Sequence, residues 1–460
     1  RVTIENHRYH MVLTSAGGRL ESFRLKEYRE EADPASPALE MVRPGGPFPL
    51  GVYWTRPDGS VASDLALAYD LGIPDENQAG FSIELTAVGP QGERVVKSIR
   101  GVPESYALQY DVEVVAGYET SIGVSWSRRI PEGNDRFTGM EGPAVYLDDA
   151  LDHVAASTLA EPVTRKGRVD WAGYADHYFL SAFYPESARA LRFSAAAAAG
   201  TAESTLWSDG PTQRVSYGLY VGPKKLSELR REGHRLEESV DLGWFAFIAR
   251  PMLELMILLN KLTGNYGWSI IVLTIGVRLA FYPINKRQAL AMKAMQRIQP
   301  ELKKIQEKFK DDRERLNREV MEVYRRHKVN PLAGCLPMLL QLPVFLGLYN
   351  ALMQSIELRH APFVGWITDL SKPDRLGTLS LPFVTPPGVP VLTILMGASM
   401  IIQQKMMPAA GDPTQQKMMM LMPVVFTVMF INFPSGLVLY WFASNVMSIG
   451  QQYLTNRMNG

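Results

Sequence analysis

The stretch Trp268-Ser-Ile-Ile-Val-Leu-Thr-Ile-Gly-Val-Arg278-Leu-Ala-Phe-Tyr-Pro283 is an apolar run with a single cation inside it. Tyr266 and Trp268 stand at one end, and Lys286 and Arg287 lie just past the other. Apolar interior, aromatic edge and basic edge together read as a membrane-spanning helix of about 20 residues including its flanks. Arg278 needs a cause, because a guanidinium at the centre of a spanning helix costs about 2.5–3.5 kcal/mol on insertion scales. Two readings account for it. It faces protein or a wet cavity and is functional, or it snorkels towards the headgroups beside Lys286, which is eight residues or roughly 12 Å of helix away.

Working outward, the chain has 460 residues, and a mean hydropathy of −0.07 is too low for a protein that is all membrane. The apolar segments cluster after residue 244, so the first half is a separate globular domain of about 240 residues, long enough for one large core. The single Cys335 excludes an intrachain disulfide. The start at Arg1, without Met or signal peptide, implies processing or the removal of a leading segment.

Residues 1–225 alternate at period two. Apolar residues recur this way in Arg1–Glu5, Phe81–Val88, Tyr106–Val115, Thr120–Trp126 and Arg214–Val221. Turn clusters such as Gly17-Gly18, Pro57-Asp-Gly59, Pro90-Gln-Gly92 and Pro131-Glu-Gly-Asn-Asp separate the runs, which predicts an antiparallel β-sandwich. His7, His10, His153 and His177 are scattered, and neither a metal spacing nor a phosphate loop nor a nucleophile elbow is present there. A structural or docking role therefore ranks above a sugar or peptide cleft. A charged, helix-favouring linker around Lys224–Glu238 follows. In Trp244–Leu262 the charges Arg250, Glu254 and Lys261 share one helical face, which suits a helix lying in the bilayer interface, so residues 226–263 are a linker plus an amphipathic helix.

The third region is residues 264–460. Lys286–Lys328 carries fourteen Lys/Arg against seven Asp/Glu, a net of +7 in a chain whose total is +1. Such a connection belongs on the cytoplasmic side and places the β-domain opposite. Helical spacing of Met292, Met295, Ile298, Leu302, Ile305 and Phe309, and again of Leu316, Val320 and Val323, makes 286–328 a cytoplasmic helical hairpin around Asp311-Asp312. Four more spans are expected at Pro331–Ile356, Pro390–Met406, Met418–Phe433 and Gly436–Leu454, two of them short enough to demand bilayer thinning. Arg359–Pro390 between them reads as an interfacial loop.

Within the spans the polar side chains are Thr274, Arg278, Gln341, Gln403, Gln404, Asn432, Ser444 and Asn445, with no Asp or Glu. A carboxylate relay of the transporter kind is thus unsupported, and the lack of an intramembrane His or HExxH argues against proteolysis. No cofactor or metal is implied, and the chain does not read as an enzyme. Arg278 with Tyr282, Tyr440 and Trp441 suits reversible binding of a polar, acidic peptide segment better than bond chemistry. Nine of the 21 Met fall between Met396 and Met429, which suits contact with varied apolar helices.

Gly267-Trp-Ser-Ile-Ile, Val277-Arg-Leu-Ala-Phe-Tyr-Pro283, Lys328-Val-Asn-Pro-Leu-Ala-Gly-Cys335, Gln341-Leu-Pro-Val-Phe-Leu-Gly-Leu-Tyr349 and Phe433-Pro-Ser-Gly-Leu-Val-Leu-Tyr-Trp441 resemble, in order and spacing, the YidC membrane-protein insertases. The first half is similar to the periplasmic β-supersandwich of their Gram-negative members, through Trp171-Ala-Gly-Tyr, Tyr178-Phe and Leu219-Tyr-Val-Gly-Pro223. The resemblance implies a multi-domain inner-membrane protein, an all-β periplasmic domain followed by an all-α polytopic membrane domain. It implies five helices around a groove open to cytoplasm and lipid, with Arg278 as the groove cation. Gln404 and Trp441 match polar or aromatic groove positions, and Thr274 and Tyr282 lie a turn either side of Arg278. It also implies an anchor ahead of Arg1, a basic tail beyond Gly460, and nascent membrane proteins, the bilayer, the Sec translocon, the ribosome and signal recognition machinery as partners, without nucleic-acid sequence recognition. An assembly chaperone without insertion activity of its own is the alternative, and a solute transporter ranks below both.

Overall fold

The computed structural model describes residues 1–78, 80–130, 141–156, 159–187, 189–309, 312–327, 329, 336–380, 382–406 and 413–458. Cys335, the turns at 131–135 and 408–412, and Asp311 lie outside these. The chain divides into two compact units, Arg1–Val240 and Asp241–Gly460.

The first unit is built from antiparallel strands. Val2–Glu5, Tyr9–Thr14, Arg19–Arg29 and Ala38–Glu40 make a four-stranded sheet in chain order, and the remaining strands form one sheet of fifteen. Tyr9–Thr14 and Arg94–Gly101 bury every second residue, the mark of a strand with one covered face. Ile122–Arg129 and Phe179–Tyr184 are buried almost throughout, so both their faces are covered. Trp54, Trp126, Trp171, Tyr110 and Phe23 fill the interior. The sheet period read from the sequence thus corresponds to strands at each place named, with Gly80–Val88, Ala107–Val115 and Arg214–Pro223 as the observed limits.

Inside this apolar core sits an ion network. Lys97 Nζ donates to the carbonyls of Gly17 (2.7 Å), Gly18 (3.0 Å) and Leu50 (2.8 Å) and lies 2.6 Å from Asp64 Oδ2. Arg19 Nη2 donates to Asp64 Oδ1 at 2.9 Å, and Tyr69 donates to Oδ2. The Gly17-Gly18 turn is what brings its carbonyls to the ammonium. Gly18 has φ +54°, and a Cβ there would stand 2.8 Å from the Tyr69 ring. Burial pushes the Lys97 ammonium down to about 8, with Asp64 opposing the shift. Helix α1 (Leu226–Glu232) and the turn after it are seated in this unit through Leu226, Leu229 and Leu236, and Trp171 Nε1 donates to Arg235 O.

The second unit is helical. Helices α2 (Ala246–Thr263), α3 (Tyr266–Ala280), α4 (Tyr282–Lys308), α5 (Arg313–Arg326), α6 (Leu336–Gln354), α7 (Val391–Met406), α8 (Pro413–Phe430) and α9 (Ser435–Met458) follow one another. Asn265 caps α3 by accepting from Gly267 N and Trp268 N. Pro283, in the first turn of α4, separates α3 from α4 at Phe281. α2 packs on α6 and α3, α9 on α3 and α7, and α7 on α8. Gly347 permits the α2–α6 approach, since a Cβ there would meet Ile248 at 3.0 Å. α4 and α5 pack through Ile298, Leu302 and Val323, the periodic residues read from the sequence.

Three expectations change. Among the described residues, no helix is long and apolar enough to cross a membrane. The apolar α3 has 15 residues and α7 has 16, about 22–24 Å at 1.5 Å per residue against a hydrocarbon thickness of about 30 Å. The helix read over Trp244–Leu262 runs instead over Ala246–Thr263, leaving Trp244 ahead of it, with Phe247, Leu255, Leu258 and Leu262 exposed while Ala249, Met252, Leu253 and Met256 are buried. Asn432 lies in the turn after α8, where its amide binds Arg375, Thr385 N and Phe383 O.

Candidate functional site

The site begins where α3 meets α9. Arg278 sits in the last turn of α3, and its Nη2 donates to Ser444 Oγ at 2.5 Å and to the Ser444 carbonyl at 3.0 Å. The guanidinium is therefore turned onto a neighbouring helix, not stretched along its own towards Lys286. Its Nε is buried without a hydrogen-bond partner, and among the described residues no carboxylate pairs with it. A cation so placed in apolar surroundings keeps unspent donors and an uncompensated field, both of which favour an acceptor or an anion.

The other expected residues divide around it. Thr274, one turn earlier, is fully buried, and its hydroxyl donates to Ile270 O at 2.6 Å, the i−4 bond of a helical Thr. Tyr282, one turn later, is 47% exposed. Tyr440 is buried on α9. Trp441 packs edge-on to Phe345 (4.8 Å between centroids) and Phe430 (4.9 Å), with Phe426 at 5.6 Å, so it knits α6, α8 and α9 together. Gln404 is half-buried near the end of α7, which packs on α9. Arg278 thus meets α9 at Ser444, one turn beyond Tyr440, whereas Trp441 belongs to an aromatic joint.

Ser444 was not singled out as Arg278's partner by sequence reasoning, nor Asn445 as a cross-link to α7, where its amide donates to Ser399 Oγ at 3.0 Å. A signal existed: a Ser-Asn pair in the middle of an otherwise apolar helix needs internal acceptors or donors. What sequence lacked was the register of α3 against α9, across 166 residues.

One end of the bundle is closed by the loop between α6 and α7. Asp374 accepts from Leu392 N (2.7 Å) and Thr393 Oγ1 (3.1 Å) at the start of α7. The Ser435 hydroxyl, at the start of α9, donates to Asp369 O, and Ser435 N and Gly436 N donate to Lys372 O and Leu370 O. Arg375 donates to the carbonyls of Pro386, Asp374, Ile431 and Thr385 and to Asn432 Oδ1. The segment read as interfacial, Arg359–Pro390, caps these helix ends, with its Ile367 and Leu370 buried.

Comparison with known proteins covers both units. A family described as the YidC periplasmic domain matches residues 1–255, and one described as the 60Kd inner membrane protein matches residues 258–460. The membrane protein insertase YidC of Syntrophobacter fumaroxidans is 39% identical over 484 residues, covering 99% of this chain and 86% of the relative. That of Pelobacter propionicus is 41% identical over 480 residues with the same coverage. A crystal structure of an active YidC insertase is 18% identical, with a TM-score of 0.41 over 98% of this chain and 92% of that one.

Proposed function

Because the chain belongs to the YidC family of membrane protein insertases, we propose that Arg278 is where it receives the polar segment of an incoming membrane protein. The family is one of bacterial inner-membrane insertases with a periplasmic domain, and its clients are nascent membrane proteins entering the bilayer. In the reading offered here, the β-domain (1–225) lies in the periplasm, 226–263 holds the linker and an interfacial helix, and 264–460 holds five spans with the 286–328 hairpin in the cytoplasm. The short α3 and α7 then imply a thinned bilayer around the groove.

The observation that carries the reading is the Arg278 guanidinium, held on one nitrogen by Ser444 and unpaired with any carboxylate among the described residues. Bringing an Asp to the centre of a spanning helix costs about 2.5–3.5 kcal/mol. Opposite charges 4 Å apart at an effective dielectric near 20 attract by about 4 kcal/mol. One cation in the groove therefore offsets the cost of one acidic residue, and no nucleotide energy is required for a short tail. Tyr282, Tyr440, Gln404, Thr274 and Trp441 line or support the groove, which opens to cytoplasm and lipid. The client's apolar helix then leaves into lipid on its own transfer free energy. The exposed apolar face of α2 lies in the bilayer interface. The +7 hairpin meets anionic headgroups, the ribosome or signal recognition machinery, and the chain works alone or beside the Sec translocon.

Site-specific cross-linking from position 282, one turn from an intact Arg278, to a nascent single-span protein tests this. Contacts are expected while the span is still inaccessible to periplasmic protease. Contacts only after insertion would replace the reading by that of an assembly chaperone.

A further inference from the structure

The donors that Arg278 has already spent decide how tightly it can hold a client. A guanidinium has five N–H donors in one plane and grips a carboxylate bidentately along one of two edges, Nε with Nη2 or Nη1 with Nη2. Both edges include Nη2. In this chain Nη2 gives its two hydrogens to Ser444 Oγ (2.5 Å) and to the Ser444 carbonyl (3.0 Å), while Nε has no partner. The same carbonyl also accepts from Ser448 Oγ at 2.9 Å. With Ser444 in place, an incoming carboxylate is limited to single bonds from Nη1 or Nε.

From this we propose that Ser444 is a positioning residue that sets the client's residence time, an internal competitor keeping Arg278 from closing on a carboxylate. The inference rests on the reading of Arg278 as the client-binding cation. A transient grip suits an insertase, since a client held bidentately in a site of low dielectric leaves slowly. Ser444 is buried, and Asn445 beside it is anchored to Ser399 on α7, so the competing hydroxyl is fixed in place. Its removal frees one Nη2 hydrogen and so opens one of the two edges, while the Ser444 carbonyl keeps the other hydrogen.

The test follows a stalled single-span protein, released in vesicles holding the full chain, by photo-cross-linking next to Arg278 at increasing delays. Its tail carries two Asp, or two Asn as the uncharged control. Ser444→Ala is expected to lengthen the lifetime of the Asp-tail contact about tenfold, the scale of one charge-assisted hydrogen bond, and to leave the Asn tail unchanged. Ser444→Cys, which keeps the side-chain volume and weakens the acceptor, shifts it the same way, and Ser444→Thr behaves as the unaltered chain. An Asp-tail lifetime unchanged or shortened in both the Ala and Cys variants overturns the proposal, as does equal lengthening for both tails, which would reflect loosened packing. In Arg278→Ala the Asp-tail contact is expected to be lost. If that variant captures the Asp tail as the unaltered chain does, the client-binding reading itself fails, an outcome separate from a null result at Ser444.

Discussion

Replacing Asp64 by Ala would leave two cations facing each other in the β-domain core. Asp64 is fully buried, with Lys97 Nζ 2.6 Å and Arg19 Nη2 2.9 Å from its two carboxylate oxygens, both cations also inaccessible to solvent. The backbone carbonyls of Gly17, Gly18, Leu50 and Phe48 remain as acceptors, but carbonyl dipoles do not neutralise two charges. Removing one partner of a buried ion network costs about 3–5 kcal/mol, and here the unpaired cations repel. Hydrogen exchange of the full chain in detergent, across urea, reads the loss locally in the peptides covering residues 9–20 and 94–101. The expected loss is at least 3 kcal/mol there, with little change in α7 and α9. Lys97 adds a pH signature. Its folded value, about 8, lies below the ordinary 10.5, so between these limits the unfolded chain binds more protons and stability rises with pH. The penalty for keeping the ammonium charged is fully present below pH 8 and is relieved above it, by up to about 1.4 kcal/mol per pH unit. Between pH 8 and 9.5 the unaltered chain should gain stability relative to Lys97→Met. A loss below 1 kcal/mol in Asp64→Ala, or parallel pH profiles for Lys97→Met and the unaltered chain, would refute this account of the core.

Other perturbations follow from the helical unit. Arg375→Ala removes donors to five acceptors in the cap, and limited proteolysis should then cut within residues 376–390 at least tenfold faster, whereas an unchanged rate would mean the cap stands without it. Asp374→Ala removes the side chain that accepts at the start of α7 and should cost about 1–2 kcal/mol, read by hydrogen exchange in residues 391–395. Trp441→Ala opens the joint with Phe345, Phe426 and Phe430 and should cost about 3–5 kcal/mol in thermal unfolding in detergent, with Phe restoring most of it; equal loss for Phe would point to the indole N–H instead.

Much of the fold was legible because each period is local. Tyr106–Val115 alternates and becomes the strand Ala107–Val115, and Ile298, Leu302 and Val323 keep helical spacing and meet between α4 and α5. Arg278 stood out for a local reason as well, a charge in an apolar run. What stayed hidden is set by contacts between distant segments. Nothing near Lys97 announces that residues 17, 18, 50 and 64 surround it, and a lysine in an alternating strand reads as solvent-facing. In the loop at 359–390, Phe363 and Trp366 among prolines gave no sign that Asp369 and Asp374 would bind the starts of α9 and α7, or Arg375 the turn after α8, far along the chain. Helix lengths were overread where Pro283 divides one apolar run between α3 and α4.

The most direct test of the central claim is protease-protected insertion of a newly synthesised single-span protein with a short acidic tail, into liposomes holding the unaltered chain, Arg278→Lys or Arg278→Ala. The account predicts insertion by the unaltered chain, substantial insertion by Lys, which keeps the charge, and loss in Ala that is relieved when the tail's acidic residues are replaced by amides. Equal insertion by all three would contradict it and reduce Arg278 to a polar strut between α3 and α9.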